Sequence, residues 1–375
     1  MKILVLNYEY PPIGGGAGTQ TRILNECLTK IGYKVVLITS HYKGLPFIEI
    51  KDNYTIIRIP VVRSSKSKGS FIQMLLYDFF ALPVSLIVIL FFKINLVHAH
   101  FILPCGIIAY FIKIVFNLPY VVTAHGGDVP SHQKEQTSHL FTVFKGLAQR
   151  VLNNSDKIHS VSKELSYKLN NDFIIAREKL ITIPNSIDFK KIAKEKQKIL
   201  SFAYLGRISK EKNLDFVIDC LNEFKHPFVF YIIGAGDDSG LKDRIQSSNL
   251  KKKVFITGWL EKRECSEYLS KADYLILHSS AEGLSMAGLE ANMYGLPIIA
   301  SDIPALQNYV KEGVNGFISP LKNKTEFLNL LNKIKSFDKY DELSHSSQLY
   351  VKKNFNIAEN VASFVKIFTE IYSSK

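Results

Sequence analysis

Short apolar runs of strand length alternate with longer helix-like segments along the whole chain. Lys2–Asn7, Val35–Thr39, Ile56–Ile59, Leu96–His100 and Tyr120–Thr123 read as strands. That rhythm predicts a parallel sheet with crossover helices. The series restarts at Ser201–Leu205 and continues with Phe228–Ile233, Val254–Thr257, Tyr274–Leu277 and Ile298–Ala300. Between the two series lies Lys190–Lys198, KKIAKEKQK, which is too charged for a core and reads as a linker. The pattern predicts an α/β protein with two Rossmann-like domains joined near residue 195, the first over residues 1–188 and the second over 196–357. A last helical segment, Ala358–Tyr372, falls within residues 358–375. No repeat of 20–50 residues and no low-complexity tract interrupts the pattern.

Two stretches are too apolar for ordinary surface helices. Residues 71–92 carry only Asp78 as a charge, and residues 101–118 carry only Lys113. The uninterrupted stretch after Asp78 is 14 residues, short of the roughly 20 that a spanning helix needs, and Pro83 is expected to break it. The first expectation is therefore two buried helices flanking a sheet. A helix lying on the membrane surface comes second and a true span third. Arg63, Lys66 and Lys68 would supply charge toward an anionic leaflet, unless they simply form a solvated loop.

Composition narrows the classes. A 375-residue chain of 42.5 kDa with 47% hydrophobic residues is too apolar for a disordered polymer, and at about 150 residues per domain it holds two or three domains. The net charge of +13 predicts attraction to phosphates, whether in nucleic acid, lipid headgroups or a small anion. Residues 1–188 carry 20 basic and 12 acidic groups and 189–375 carry 27 and 22, so the half holding the apolar stretches is the more basic one. Cys27, Cys105, Cys220 and Cys265 are too scattered for a zinc ribbon or a disulfide framework, which fits a reducing compartment. The N-terminal apolar run, broken by Asn7, Glu9, Pro11 and Pro12, is too short for a signal peptide.

Candidate chemistry clusters at strand ends. The first strand runs through Pro11-Pro12 into Gly14, Gly15, Gly16, Ala17 and Gly18, ahead of an amphipathic segment Thr19–Ile31. A glycine-rich turn feeding a helix N-terminus is an anion cradle. It is not the dinucleotide fingerprint, because Thr19 stands where the third glycine belongs and no ribose-binding acid follows the second strand. NAD is therefore a poor expectation, and no phosphate-binding GxxxxGK[ST] loop exists. His125, in Thr123-Ala124-His125-Gly126-Gly127-Asp128, sits at a sheet's carboxyl edge with its ring left accessible by two glycines. Gly206-Arg207, followed by Lys210 and Lys212, pairs a bidentate guanidinium with point charges, which suits a diphosphate. At Gly234-Ala235-Gly236 the missing side chains would let a ligand approach the backbone. In Ser279–Ala291, a helix starting near Ser285 would aim the amides of Leu284, Ser285 and Met286 at an anion beyond Gly283. Glu282 then lies in the loop, and Glu290 lies about 8 Å along the helix. Carboxylates bind sugar hydroxyls rather than phosphate, so one is expected on a donor sugar and the other on a ribose.

Other readings of these residues are weaker. Gly283-x-Ser285-x-Ala287 lacks the second glycine of a nucleophile elbow. His98-x-His100 lacks a third metal ligand at a persuasive spacing and reads as buried histidines at a strand end. Asp237-Asp238 reads as solvated loop.

Taken together, the order and spacing of Pro11-Pro12 with Gly14–Gly16, His125–Asp128, Ile183-Pro184-Asn185-Ser186-Ile187-Asp188, Gly206-Arg207 with Lys212, Gly234-Ala235-Gly236, Glu282 and Glu290 resemble the family-4 retaining glycosyltransferases of the GT-B fold. The resemblance implies two domains facing across a cleft, with the C-terminal helix crossing back to the first. The second domain would hold a nucleotide-sugar, uridine first and guanosine next, while the first receives a glycan or lipid-linked acceptor. It implies that Arg207 and Lys212 hold the diphosphate, that Glu290 binds ribose, and that Glu282 with the backbone from Gly283 through Leu284 to Ser285 orients the sugar. His125 would contact that sugar, and Gly15 and Gly16 would pass close to the phosphates or the acceptor entrance. The family's front-face chemistry, in which the leaving phosphate takes the acceptor's proton, needs neither metal nor cofactor, the nucleotide-sugar being a cosubstrate. Asn185-Ser186 departs from the family's usual Asn-Gly. A sugar-nucleotide 2-epimerase shares the architecture and is the enzymatic rival. A basic nucleic-acid binder is the other, and Lys251–Lys253 is the only compact basic run to support it, so no nucleic-acid partner is expected. The apolar stretches add the expectation of cell-envelope glycan or glycolipid synthesis at the cytoplasmic face of the membrane.

Overall fold

The computed structural model describes residues 1–61, 63, 66, 69–132, 138–190, 192 and 198–374. They form two compact units, Met1–Ser186 with Ile357–Lys375 and Ile187–Asn356. Most of the charge-rich stretch read as a linker, residues 191 and 193–197, lies outside the described residues, as does Lys68.

In the first unit, β1 (Lys2–Leu6), β2 (Lys34–Ser40), β3 (Ile48–Lys51), β4 (Tyr54–Ile59), β5 (Leu96–His100), β6 (Tyr120–Ala124), β7 (Lys157–Ser160) and β8 (Leu180–Thr182) form one sheet in the order β3-β4-β2-β1-β5-β6-β7-β8. All neighbours are parallel except β3, which runs antiparallel to β4 at the edge. β1 lies in register between β2 and β5, with Leu4 opposite Val36 and Val97. Its near-continuous apolar sequence follows from burial on both faces. The helices are α1 (Gly16–Lys30), α2 (Phe71–Phe92), α3 (Cys105–Phe116), α4 (Ser138–Asn154) and α5 (Lys163–Asp172).

The second unit is an all-parallel sheet of β9 (Leu200–Leu205), β10 (Phe228–Ile233), β11 (Val254–Gly258), β12 (Tyr274–Leu277), β13 (Ile298–Ser301) and β14 (Gly316–Ser319), ordered β11-β10-β9-β12-β13-β14. Its helices are α6 (Leu214–Glu223), α7 (Ser239–Gln246), α8 (Lys262–Lys271), α9 (Met286–Met293), α10 (Pro304–Tyr309), α11 (Lys324–Lys335) and α12 (Tyr340–Asn354). The last helix, α13 (Ile357–Ser373), belongs to the first unit. There Phe364 lies 4.9 Å from the ring of His159 and 5.5 Å from that of His98, and Asn360 donates to the carbonyl of Pro184 at 2.6 Å. Beside that contact, Ser186 exchanges two hydrogen bonds with the side chain of Gln20. The hydroxyl of the unusual Asn-Ser pair thus has a partner of its own.

Two expectations about the apolar stretches are corrected. Pro83 does not break the helix: α2 runs unbroken through it, and the proline lies on the exposed face, where water can take the place of the N–H that the carbonyl one turn back has lost. Nor is α2 buried all round. Only Tyr77, Ala81, Ser85, Val88 and Ile89 of its 22 residues are buried, and Tyr77 anchors the helix by donating to the carbonyl of Ile38 at 2.8 Å. Among the described residues α2 is the one helix long and apolar enough to cross a membrane.

Asp78 is the lone acid on that helix, and its Oδ1 has no hydrogen-bond partner among the described residues. Burial pushes its pKa up to about 8. The folded state therefore binds the proton more tightly than the unfolded chain, and stability is lost as pH rises from the ordinary carboxyl value through about 8. We expect Asp78→Asn to stabilise the protein at pH 8 by ~2–4 kcal/mol and to be nearly neutral at pH 4, read from urea unfolding at the two pH values.

Candidate active site

The candidate residues fall into two groups, one in each unit, and both sit where parallel strands end. A buried strand offers solvent only its termini, and in doubly wound sheets the loops at the carboxyl ends are the ones free to carry polar chemistry.

In the second unit, β9 delivers Gly206 and Arg207, and β12 delivers the loop that leads through Glu282 to α9. The two loops are tied together where the amide of Ser280 donates to the carbonyl of Glu211 at 2.8 Å. Lys212 Nζ lies 2.7 Å from Glu282 Oε1, which also accepts from Ser279 Oγ at 2.9 Å. Arg207 Nη2 lies 3.5 Å from Glu211 Oε1, and the carbonyl of Arg207 accepts from Tyr204 at 2.6 Å. Arg207 Nε is buried with no partner among the described residues. Burial would raise the carboxyl of Glu211, yet its own amide and the charges of Lys212 and Arg207 hold it below its ordinary value. The structure thus brings Arg207, Lys212 and Glu282 together, with two cations in a half-buried setting where Coulombic attraction for a phosphate is screened less than at the surface.

The helix that follows starts one residue later than expected. Ser285 is its N-cap and its hydroxyl accepts from the amide of Gly288 at 3.2 Å, so that hydroxyl serves the cap. Gly283 and Leu284 form the bend before it, and the amides heading the helix are those of Met286 and Ala287 rather than Leu284 and Ser285. Glu290 lies four residues past Met286, about 6 Å further along the axis. Its charge is felt by Cys265, whose thiol is pushed up to about 11 by burial first and by Glu290 second.

Gly234 has a reason other than the one expected. A Cβ there would stand 1.9 Å from the carbonyl oxygen of Gly206, and one at Gly236 would stand 2.0 Å from that of Ile208. Their missing side chains admit the neighbouring loop, with Gly206 donating to Ile233 and Ile208 to Ala235. The loop that carries Arg207 is held by this backbone zipper.

In the first unit, α1 begins at Gly16 with Gly15 as its N-cap, earlier than the Thr19 start the pattern predicts. A side chain on Gly14 would strike Glu9 at 2.5 Å and one on Gly18 would strike the carbonyl of Glu9 at 2.8 Å, whereas Gly15 has open space around it. His125 is partly exposed at the end of β6. Asp128 builds its turn: Oδ1 accepts from the amides of His125 and Gly126 at 2.9 and 3.0 Å, and Oδ2 accepts from Ile102 at 2.8 Å. Burial, and then the neighbouring His159, push the imidazole of His125 down to about 3, so it is neutral in any physiological medium. Its ring is flanked by His100, whose ring centre lies 5.2 Å away with the two planes 16° apart, and by Phe101, 4.9 Å away. Phe101 holds a left-handed φ of 75°, an uncommon conformation for a bulky residue and one that functional loops concentrate. His98 and His100 are buried at the end of β5, as read from their position. Asp237 is exposed and Asp238 partly so.

Two family patterns match the chain: "Glycosyl transferases group 1" over residues 185–348 and "Glycosyltransferase Family 4" over residues 14–191. The chain belongs to this glycosyltransferase family. Among similar proteins, the UDP-Gal:alpha-D-GlcNAc-diphosphoundecaprenol alpha-1,3-galactosyltransferase of Escherichia coli is 26% identical over 306 residues, 76% of this chain and 77% of the relative. The alpha-monoglucosyldiacylglycerol synthase of Streptococcus pneumoniae is 25% identical over 84% of this chain and 74% of its own. The fold is that of GT-B glycosyltransferases. A sucrose-phosphate synthase from Thermosynechococcus elongatus superposes with a TM-score of 0.87 at 16% identity over all of both chains. Anabaena HepE, solved with UDP-glucose, gives 0.77 at 16% identity, again over all of both chains.

Within the glycosyltransferase, sequence reasoning gave Glu211, Ser279 and Thr21 no part in the candidate site, took Asp128 only as the end of the His125 motif, and read His100 as a buried histidine. Glu211 lies four residues after Arg207 and Ser279 three before Glu282, spacings that signal a local partner. The contacts of Thr21 and His100 join elements distant in sequence and carry no such signal. Gly234→Ala is expected to cost about 3–5 kcal/mol in urea unfolding, since the carbonyl it meets belongs to the backbone and its φ of 146° already disfavours a side chain.

Proposed function

We propose that this glycosyltransferase moves a hexose-type sugar from a nucleotide diphosphate sugar, uridine first and guanosine next, to a glycan or lipid-linked acceptor with retention of anomeric configuration. The observation that carries the reading is the cluster of Arg207, Lys212 and Glu282 at the carboxyl ends of β9 and β12, beside the N-terminus of α9. In this reading Arg207 and Lys212 hold the diphosphate. Lys212 exchanges part of its pairing with Glu282 for phosphate oxygens, which frees Glu282 to accept from sugar hydroxyls. Charge grows on the departing diphosphate as the glycosidic bond breaks, and two fixed cations stabilise it more in the transition state than in the ground state. Glu290 accepts from the ribose hydroxyls, and His125 contacts the donor sugar. The leaving phosphate takes the acceptor's proton, so the protein need supply no base. Because the side-chain cations meet the diphosphate, a metal is not required for that task. The nucleotide-sugar is a consumed cosubstrate rather than a resident cofactor.

The acceptor side rests on α2. Its outward face exposes Ile72, Leu75, Phe79, Leu90 and Phe91, and Phe111, Ile114 and Val115 of the adjoining α3 are exposed as well. Contiguous apolar surface of this kind marks an interaction site. Because the opposite stripe of α2 is fastened to the sheet through Tyr77, Ala81 and Val88, the helix lies on a membrane better than it spans one. The net positive charge draws it to anionic headgroups. The relatives named for a diphosphoundecaprenol acceptor and for a diacylglycerol product support a lipid-linked substrate in envelope glycan or glycolipid synthesis at the cytoplasmic face. Nothing in this reading calls for a nucleic-acid partner.

Arg207→Ala and Glu290→Gln are each expected to lower transfer from a UDP-hexose by about 100-fold or more while the melting temperature is kept; full activity in either purified variant refutes the assignment. Sugar-nucleotide turnover without any acceptor would instead reveal the epimerase. Phe91→Glu is expected to abolish co-sedimentation with anionic vesicles at low salt and to leave transfer to a water-soluble acceptor intact; vesicle binding by the variant equal to that of the native protein removes the membrane reading.

A further inference from the structure

Two chains of hydrogen bonds run through the buried histidines beneath His125, and each ends on a carbonyl that can only accept. In the first, His159 Nε2 lies 2.8 Å from the carbonyl of Ile183, so the ring carries its proton there and Nδ1 holds a lone pair. Thr123 must then donate to that Nδ1 at 3.0 Å, which leaves Thr123 Oγ1 to accept from His98 Nε2 at 2.7 Å. In the second, Thr21 Oγ1 donates to the carbonyl of Ala17 at 2.8 Å and accepts from Asn7 Nδ2 at 2.8 Å. A hydroxyl has a single proton, so the 3.1 Å contact between Thr21 Oγ1 and His100 Nδ1 needs its proton from the histidine. The same Nδ1 lies 3.0 Å from His125 Nε2. His100 Nδ1–H is therefore shared between Thr21 Oγ1 and His125 Nε2, both of which accept, so His125 Nε2 presents a lone pair. The unpartnered atoms agree with this polarity. Within this cluster His98 Nδ1 and His100 Nε2 are buried without a partner among the described residues, and in these tautomers both are lone pairs rather than stranded N–H donors.

We infer that Thr21 and His100 are positioning residues that hold His125 as the neutral tautomer with its proton on Nδ1, so that it meets an oxygen of the nucleotide-sugar as a hydrogen-bond donor and does not act as a base or an imidazolium. A proton on His125 Nε2 would face the proton on His100 Nδ1 across 3.0 Å, in a setting where His98, His100 and His159 are buried and neutral and burial opposes any added charge. The consequence for catalysis rests on the reading that His125 touches the donor, whereas the tautomer itself does not.

The test is a two-bond ¹⁵N–¹H correlation spectrum of the ¹⁵N-histidine-labelled full chain at neutral pH, with the His125 ring assigned by its loss in His125→Phe. A pyrrole-type Nδ1 and a pyridine-type Nε2 are expected in the native protein. An Nε2–H tautomer or a cationic ring there overturns the inference without recourse to any further variant. His100→Leu, which removes the donor, is expected to release the ring to an Nε2–H or mixed signature and to lower kcat by about tenfold. His100→Asn, which returns an N–H at the same position, is expected to restore both. If His100→Leu keeps the native signature and rate, the inference fails. If the spectra behave as expected while His125→Phe transfers sugar at full rate, the tautomer holds and it is the contact with the donor, with its catalytic consequence, that is refuted.

Discussion

A parallel strand covered on both faces can place polar chemistry only where it ends, and the rest of this protein depends on that constraint. β1, β5, β6, β9, β12 and β13 are buried along nearly their whole length. Parallel pairing points all their carboxyl ends the same way, so Gly15, His100, His125, Arg207 and Glu282 emerge from separate strands yet arrive along one edge of their own sheet. No long-range signal in the chain needs to specify that convergence; the sheet does so as soon as its core forms.

Convergence alone leaves loops free to wander, and two kinds of backbone device hold them. In the second unit, the glycines of β10's turn let the Arg207 loop come within bonding distance, so the guanidinium starts from a fixed main chain. In the first unit, the buried carboxylate of Asp128 takes three amides and shapes the turn that carries His125. A carboxylate so placed would be costly without its donors, which is why one residue can define a whole turn. The main chain that carries the cations and carboxylates near α9 is thus fixed by the fold, and only side-chain pairings such as Lys212 with Glu282 remain to be exchanged in the proposed reaction.

The first unit also carries a division of labour on a single helix. One stripe of α2 completes the sheet's core through Tyr77, Ala81, Ser85, Val88 and Ile89, while the other remains apolar and outward. A helix apolar all round normally marks full burial or a membrane. Here half of that expectation is met inside the protein, and the remaining half gives the proposed acceptor side its location.

The amino-acid pattern by itself determined the fold class, the restart of a second sheet, most strands, and which strand ends hold the candidate residues, because these rest on local apolar periodicity and on residue types adjacent in sequence. It passed over β3, β7, β8 and β14, which are three or four residues long. In so short a strand, polar members such as Glu49 and His159 weaken the apolar signal. It also judged Pro83 a break and did not foresee that Gly234 admits the loop of Gly206, since whether a proline faces water and what fills the space beside a glycine are properties of neighbours distant along the chain. Tertiary structure alone decided the pairing of Lys212 with Glu282, 70 residues apart, and that of Thr21 with His100, 79 residues apart. A hydrogen bond's direction depends on what each partner's other atoms already hold, and that information exists only once the chain has folded.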